Sequence, residues 1–165
     1  MFVAATQAAD VAATPMMLTA YVNGAGGESL ISGQYDAAIA QLKQDRPNGA
    51  TAYSAKMNNL CVAYTITKQL TDAKAACTAA VKAAKYDRLS SQRYAPGSSR
   101  ENAYVAIAYA NRAVAAMLAQ DSVSAKSDLE RARSLAPSAE FVSRNMAAAQ
   151  TKSSTIAKLD VAPAR

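Results

Sequence analysis

One short pattern recurs at wide intervals along the chain. An alanine, three residues and then a larger apolar side chain occur as Ala38 to Leu42, Ala73 to Cys77 and Ala125 to Leu129. Each lies in a run whose apolar residues return every three or four positions, such as Tyr35, Ala38, Ile39 and Leu42. Side chains at that spacing share one face of a helix. The intervals between the alanines are 35 and 52 residues. A single amphipathic hairpin cannot bury its apolar face, so a chain that repeats one must stack the copies. Composition agrees with this. Alanine, the best helix former, dominates, and the five Pro and six Gly fall mostly between the apolar runs. No alternating run calls for a sheet.

Read along the chain, residues 1–26 are expected to form a flexible segment ending in "NGAGG". Residues 27–150 form the helical domain. Its first clear helix is "SGQYDAAIAQLKQD", broken by "RPNGA". A long helix from about Thr51 to Thr67 carries the stripe Met57, Leu60, Cys61, Tyr64 and Thr65. Its partner starts near Thr71, with Ala73, Ala76, Cys77, Ala80 and Val81 inside. An inserted loop is expected at 88–100, where Arg88, Arg93, Tyr94 and Arg100 mix with small polar residues. "ENAYVAIAYANRAVAAMLAQ" and "DSVSAKSDLERARSLAP" give another helix pair, capped by Asp121 or Ser122 and stopped by Pro137. "SAEFVSRNMAAAQ" gives a last helix with Ser138 as its cap, and residues 151–165 a flexible tail.

These residues resemble the tetratricopeptide repeat family. In the middle repeat, Met57 stands at the family's Trp position, Leu60 and Cys61 at its Leu-Gly pair and Tyr64 at its Tyr. Ala73, Cys77 and Ala80 follow in register. The first repeat carries the Gly-x-Tyr turn at Gly33 and Tyr35, although "GAGGES" occupies the place of its first helix. The third keeps Tyr109, Ala113, Ala116, Ala125, Leu129, Ala132 and Pro137, with Gln120 at the turn glycine. The 52-residue interval is then the family's 34 residues plus an 18-residue insertion. The resemblance implies an all-α, antiparallel helix-hairpin solenoid of two good repeats, a partial one and a C-terminal capping helix.

It also implies a non-catalytic protein–protein interaction module, an adaptor or assembly factor, with a peptide or partner helix in a concave groove. Asn58, Asn59, Val62, Thr65 and Ile66 would line that groove, with Asn111, Val114, Met117 and Leu118 from the next repeat. In the family, groove asparagines often bond a peptide backbone. No cofactor and no small-molecule substrate follow from the resemblance.

The remaining chemistry is sparse. There is no His, which removes the commonest general base and metal ligand. P-loop, GxSxG and HExxH motifs are absent. An enzyme would have to gather carboxylates such as Asp72, Asp121 and Asp128, whose places near helix starts suggest capping. Arg112, inside an apolar helix, is expected to pair with Asp128 or Glu130 or to snorkel to water. The net charge is +6, with no Lys or Arg before Lys43. The basic remainder makes an anionic polymer, a nucleic acid or cell-wall component, the alternative partner, with nucleic acid the less favoured.

Cys61 and Cys77 fall at similar distances from one hairpin turn, on inner stripes of two antiparallel helices. Three readings stay open at this point: a disulfide, a pair of small packing thiols, or a redox or metal site. A disulfide would indicate an oxidising compartment. "MFVAATQAADVAATPMMLTA" is too short in its apolar core for a membrane span and lacks the basic start of a complete export signal. It reads as the end of such a signal or the start of an exported chain. Periplasmic or secreted placement in a bacterium is the expectation, with the cytoplasm as the alternative.

Overall fold

The computed structural model describes residues 15–92, 99–150 and 159–164. In these residues the chain is mostly helical, with a small two-stranded parallel sheet. Strand β1 (Met16–Ala20) comes first. It is followed by α1 (Gly27–Ile31), α2 (Tyr35–Gln44), α3 (Ala50–Ile66), α4 (Leu70–Gln92), α5 (Ser99–Leu118), α6 (Ser122–Leu135) and α7 (Glu140–Gln150). Strand β2 (Leu159–Pro163) comes last.

Three helix pairs, α1/α2, α3/α4 and α5/α6, are joined by the same turn. Gly33, Lys68 and Gln120 each hold a left-handed conformation, with φ of 75°, 59° and 60°. In each turn the next residue's N–H reaches back five positions: Gln34 to the Ser29 carbonyl, Gln69 to Tyr64 and Asp121 to Ala116, at 2.7–2.9 Å. The left-handed residue itself donates to the carbonyl three positions back, at Leu30, Thr65 and Met117. This is the Schellman closure of a helix C-terminus. Lys68 and Gln120 adopt it without being glycine, which costs about 1 kcal/mol each. The following helix starts two residues later every time. Asp121 also caps α6 through its side chain, which accepts from the Ser124 N–H at 3.0 Å.

Each helix packs on its neighbours in sequence, from α1 on α2 through to α6 on α7. The first helices of the pairs also touch in order: α1 on α3, α3 on α5, and α5 on α7. They form a row. One apolar cluster joins Leu30, Leu42, Leu60, Val62 and Val114 to Leu18 of β1, and a second joins Val81, Val105, Tyr109 and Val142. Helix α3 is buried on all sides from Asn58 to Thr65. Cys61 and Cys77 form a disulfide between α3 and α4, with both residues fully buried. Closing a loop of that size stabilises a fold by about 3 kcal/mol in the chain-entropy account.

Three sequence expectations need correction. Residues 16–26, expected to be flexible, hold β1 and the turn that follows it. Residues 159–163, placed in a flexible tail, form β2 in parallel register with β1, Met16 opposite Leu159 and Ala20 opposite Pro163. Strand β1 does not alternate, because "MMLTA" is covered on every side and all five residues are buried, whereas β2 is partly buried and too short to stand out. A strand buried on both faces reads as a continuous apolar run and is easily missed. The inserted loop is shorter than 88–100, since α4 runs to Gln92 and α5 begins at Ser99. Arg93 and Tyr94 lie outside the described residues.

Candidate functional site: an asparagine row under an extended strand

Strand β1 crosses the row of first helices and touches all four of them. Its backbone is held there by asparagine side chains. Asn145 of α7 accepts from the Met17 N–H at 2.7 Å and donates to the Met17 carbonyl at 2.9 Å. Asn111 of α5 does the same at Thr19, both at 2.8 Å. Asn59 of α3 does so at Tyr21, at 2.8 and 2.9 Å, and gives a second N–H to the Ala25 carbonyl. Asn58 adds a bond to the Thr19 carbonyl at 2.9 Å and accepts one from Asn111 at 3.0 Å. All four asparagines are at most 1% exposed.

The chemistry fits the task. A carboxamide carries a donor and an acceptor side by side, so it can pair with both the N–H and the carbonyl of one extended residue. It is neutral, so its burial avoids the desolvation cost of an ion. The bonds fall on residues 17, 19 and 21, which point the same way in an extended chain. The intervening residues turn their backbone groups to β2, as the Ala164 N–H shows by donating to the Ala20 carbonyl at 2.7 Å. One edge of β1 therefore meets asparagines and the other meets a strand. Pro163 sits where its missing N–H would face away from β1, a position that tolerates proline.

The row follows the repeat. Asn59 lies nine residues before the left-handed Lys68, and Asn111 nine before the left-handed Gln120. Asn111 to Asn145 is 34 residues. Helices α3, α5 and α7 thus each contribute one asparagine in this register, and the three take every second residue of the strand. Two strand residues span about 6.7 Å, against about 8–10 Å between packed helix axes. Side chains converging on the inner side of the row close that gap. The matching position before Gly33 is Gly24, where β1 turns into α1. A Cβ there would press on Asn59 Nδ2 at 3.3 Å.

Of the residues expected in a groove, the structure brings Asn58, Asn59 and Asn111 onto one extended backbone. Val62 and Val114 are fully buried in the same apolar cluster as Leu18, and Ile66, Met117 and Leu118 pack against it from partly buried positions. Thr65 is turned toward α4: its hydroxyl donates to the Cys61 carbonyl and lies 4.0 Å from Cys77 Sγ. Asn145 was missed by the sequence reading. Its 34-residue interval from Asn111 was the available signal.

The outer side of the pairs carries a different arrangement. Arg112 of α5 and Asp128 of α6 make a bidentate ion pair at 2.7 and 2.8 Å, which selects one of the two partners offered by the sequence. Both Arg112 and Arg131 lie over the Tyr109 ring, at 5.5 and 5.6 Å from its centre. Hydrogen bonding to Asp128 pushes the Arg112 pKa up. Beside them is an open cleft of about 600 Å³ floored by Ala115, Ala116 and Ala119. Asp121 and Asp128 line it and Asp72 does not. Each of these two carboxylates is engaged, Asp128 by Arg112 and Asp121 by Ser124, whose hydroxyl and then backbone N–H hold the Asp121 pKa down.

Among the described residues no cluster of metal-ligating side chains occurs, and no helix is long and apolar enough to cross a membrane. The chain matches no family model, no curated protein and no solved structure.

Proposed function

We propose that this chain is a non-catalytic protein–protein interaction module, a helical-hairpin repeat of the tetratricopeptide kind, that holds extended polypeptide on its inner asparagine row. The observation that carries the reading is the two-sided bonding of Met17, Thr19 and Tyr21 by Asn145, Asn111 and Asn59. Each contact is to backbone, so it serves any sequence that can lie extended, while the buried Leu18 and Ala20 ask for apolar and small side chains at alternate places. The three in-register turns support the repeat reading. The Cys61–Cys77 bridge supports work in an oxidising compartment, such as the periplasm or the exterior of a bacterium.

The test uses the full chain carrying Thr19→Pro. Proline removes the N–H that Asn111 accepts from and weakens the resident strand. A biotinylated peptide of sequence PMMLTAYV is offered to it, with circular dichroism to show that the helices remain. The variant should capture this peptide, the wild-type chain far less, and neither should capture a peptide with proline in place of its threonine. A folded variant that ignores the peptide would sink the proposal.

A further inference from the structure

The asparagine row is filled, and what fills it is the chain's own first strand. We infer that β1 is exchangeable and that a second copy of this chain is a partner of the groove, each copy seating its β1 on the other's asparagines. This rests on reading the row as a peptide-holding site and names the peptide.

The argument begins with what ties β1 to its own body. Among the described residues the turn after it is the covalent tie, and the hydrogen bonds and packing that seat it are indifferent to which copy supplies the strand. The Asn145, Asn111 and Asn59 pairs, the alignment with β2 and the burial of Leu18 would all be kept in an exchanged dimer. Such a dimer is two-fold and closed, so exchange ends at two copies.

The turn itself is built on glycine. Gly24 N–H donates to the Tyr21 carbonyl at 3.1 Å and Gly27 N–H to the Gly24 carbonyl at 3.0 Å. Gly26 holds φ of 68°, a conformation other residues seldom adopt. A Cβ on Gly27 would overlap the carbonyl oxygens of Tyr21 and Val22, which are backbone atoms and cannot step aside. The closed form depends on these glycines and the open form does not. Opening also returns to the glycines the freedom they lose in the turn. Extended, the six residues from Val22 to Gly27 reach about 20 Å, enough to carry β1 clear of its own groove.

Against exchange stands the tether, which gives β1 an effective concentration of roughly millimolar in its own groove. Exchange therefore grows with protein concentration, and any substitution that spoils the closed turn moves it to lower concentration.

The register supplies the readout, because Met16 lies opposite Leu159. A Met16→Cys, Leu159→Cys chain, its native disulfide intact, is refolded across a concentration series and treated with a short thiol cross-linker. In a denaturing gel the product should be intrachain at low concentration, with interchain dimer rising as concentration rises. Adding Gly27→Ala should bring the same dimer fraction at least tenfold lower in concentration. Thr19→Pro in the same background should remove both products. Intrachain product alone at every concentration, with glycine or alanine at 27, overturns the exchange. Peptide capture by the Thr19→Pro chain would still stand in that case, so the two ideas fail separately. If the Gly27→Ala chain does not fold, the series with the natural turn decides alone.

Discussion

Two buried polar clusters hold this molecule, and they work by opposite means. On the inner side, Asn59, Asn111 and Asn145 pair neutral side chains with backbone. On the outer side, Arg112 and Asp128 pair charge with charge, side chain to side chain. The ion pair is partly open to water, with side-chain exposures of 25% and 5%. Both halves of it are encoded, so evolution or a designer could replace both. Only one half of the inner network is encoded. The N–H and carbonyl at position 19 stay in the groove for every residue but proline, and something must satisfy them. The comparison teaches that the inner cluster cannot be traded for apolar packing while β1 remains, and the outer one can.

The sharpest break is Asn111→Leu. It strips the Thr19 N–H of its acceptor and Asn58 of a donor, leaving buried groups unpaired. Each such group costs about 1–3 kcal/mol, so the loss should be about 3 kcal/mol or more in urea unfolding. No second substitution at Thr19 should restore it, except a proline, which removes the stranded N–H. A recovery by Thr19→Val would contradict the comparison.

Next comes the outer pair. Asp128→Leu leaves Arg112 without its carboxylate, and a fully buried orphan charge costs about 3–5 kcal/mol. Arg112 can reach water and still lies over Tyr109, so about 1–2 kcal/mol is expected once that exposure is allowed for. The double change Arg112→Met, Asp128→Leu should return close to wild-type stability, as buried pairs often do. If the double variant is as damaged as the single one, the contrast between the two clusters falls.

Sequence alone narrowed one cluster's partners and disclosed half of the other's purpose. Arg112 could be narrowed to Asp128 or Glu130, or to a reach for water, because helix faces are periodic; the choice of Asp128 comes from the structure. Asn58, Asn59 and Asn111 were legible as groove residues from the repeat register. Their occupant was not, because β1 is five buried residues with no alternation, and its asparagine partners lie 38 to 128 positions away. Such a pairing leaves no local trace. The same holds for β2, which is a strand only because β1 lies beside it. The turns show the reverse case: Gln120 stands at the family's turn glycine and Lys68 holds the same left-handed conformation, and both hairpins close all the same because packing outweighs a local cost of about 1 kcal/mol.

Alkaline pH acts by the smallest step, one pH unit at a time, and separates the clusters without any mutation. Burial, with Tyr104 and Asp87 adding to it, pushes the Tyr21 phenol well above its ordinary value. Its ring meets Tyr104 edge to face at 5.3 Å, and its backbone is the one Asn59 holds. A raised phenol pKa means that the folded chain keeps a proton the unfolded chain gives up. The contribution is whole below the unfolded value of about 10 and is lost as pH climbs from there toward the folded value. The slope is at most about 1.4 kcal/mol per pH unit, reached where the unfolded phenol has lost its proton and the folded one keeps it. Arg112 is shifted upward too by its hydrogen bonds to Asp128, from an ordinary value already above the phenol's, so the outer pair keeps its cation through this window. Between about pH 10 and 12 the inner side should loosen while the outer side holds. Urea midpoints should fall with pH in the wild-type chain and fall less in Tyr21→Phe. Equal slopes in the two proteins would mean that the end of β1 gains nothing from a neutral phenol, and the alkaline weakness would have to be sought elsewhere.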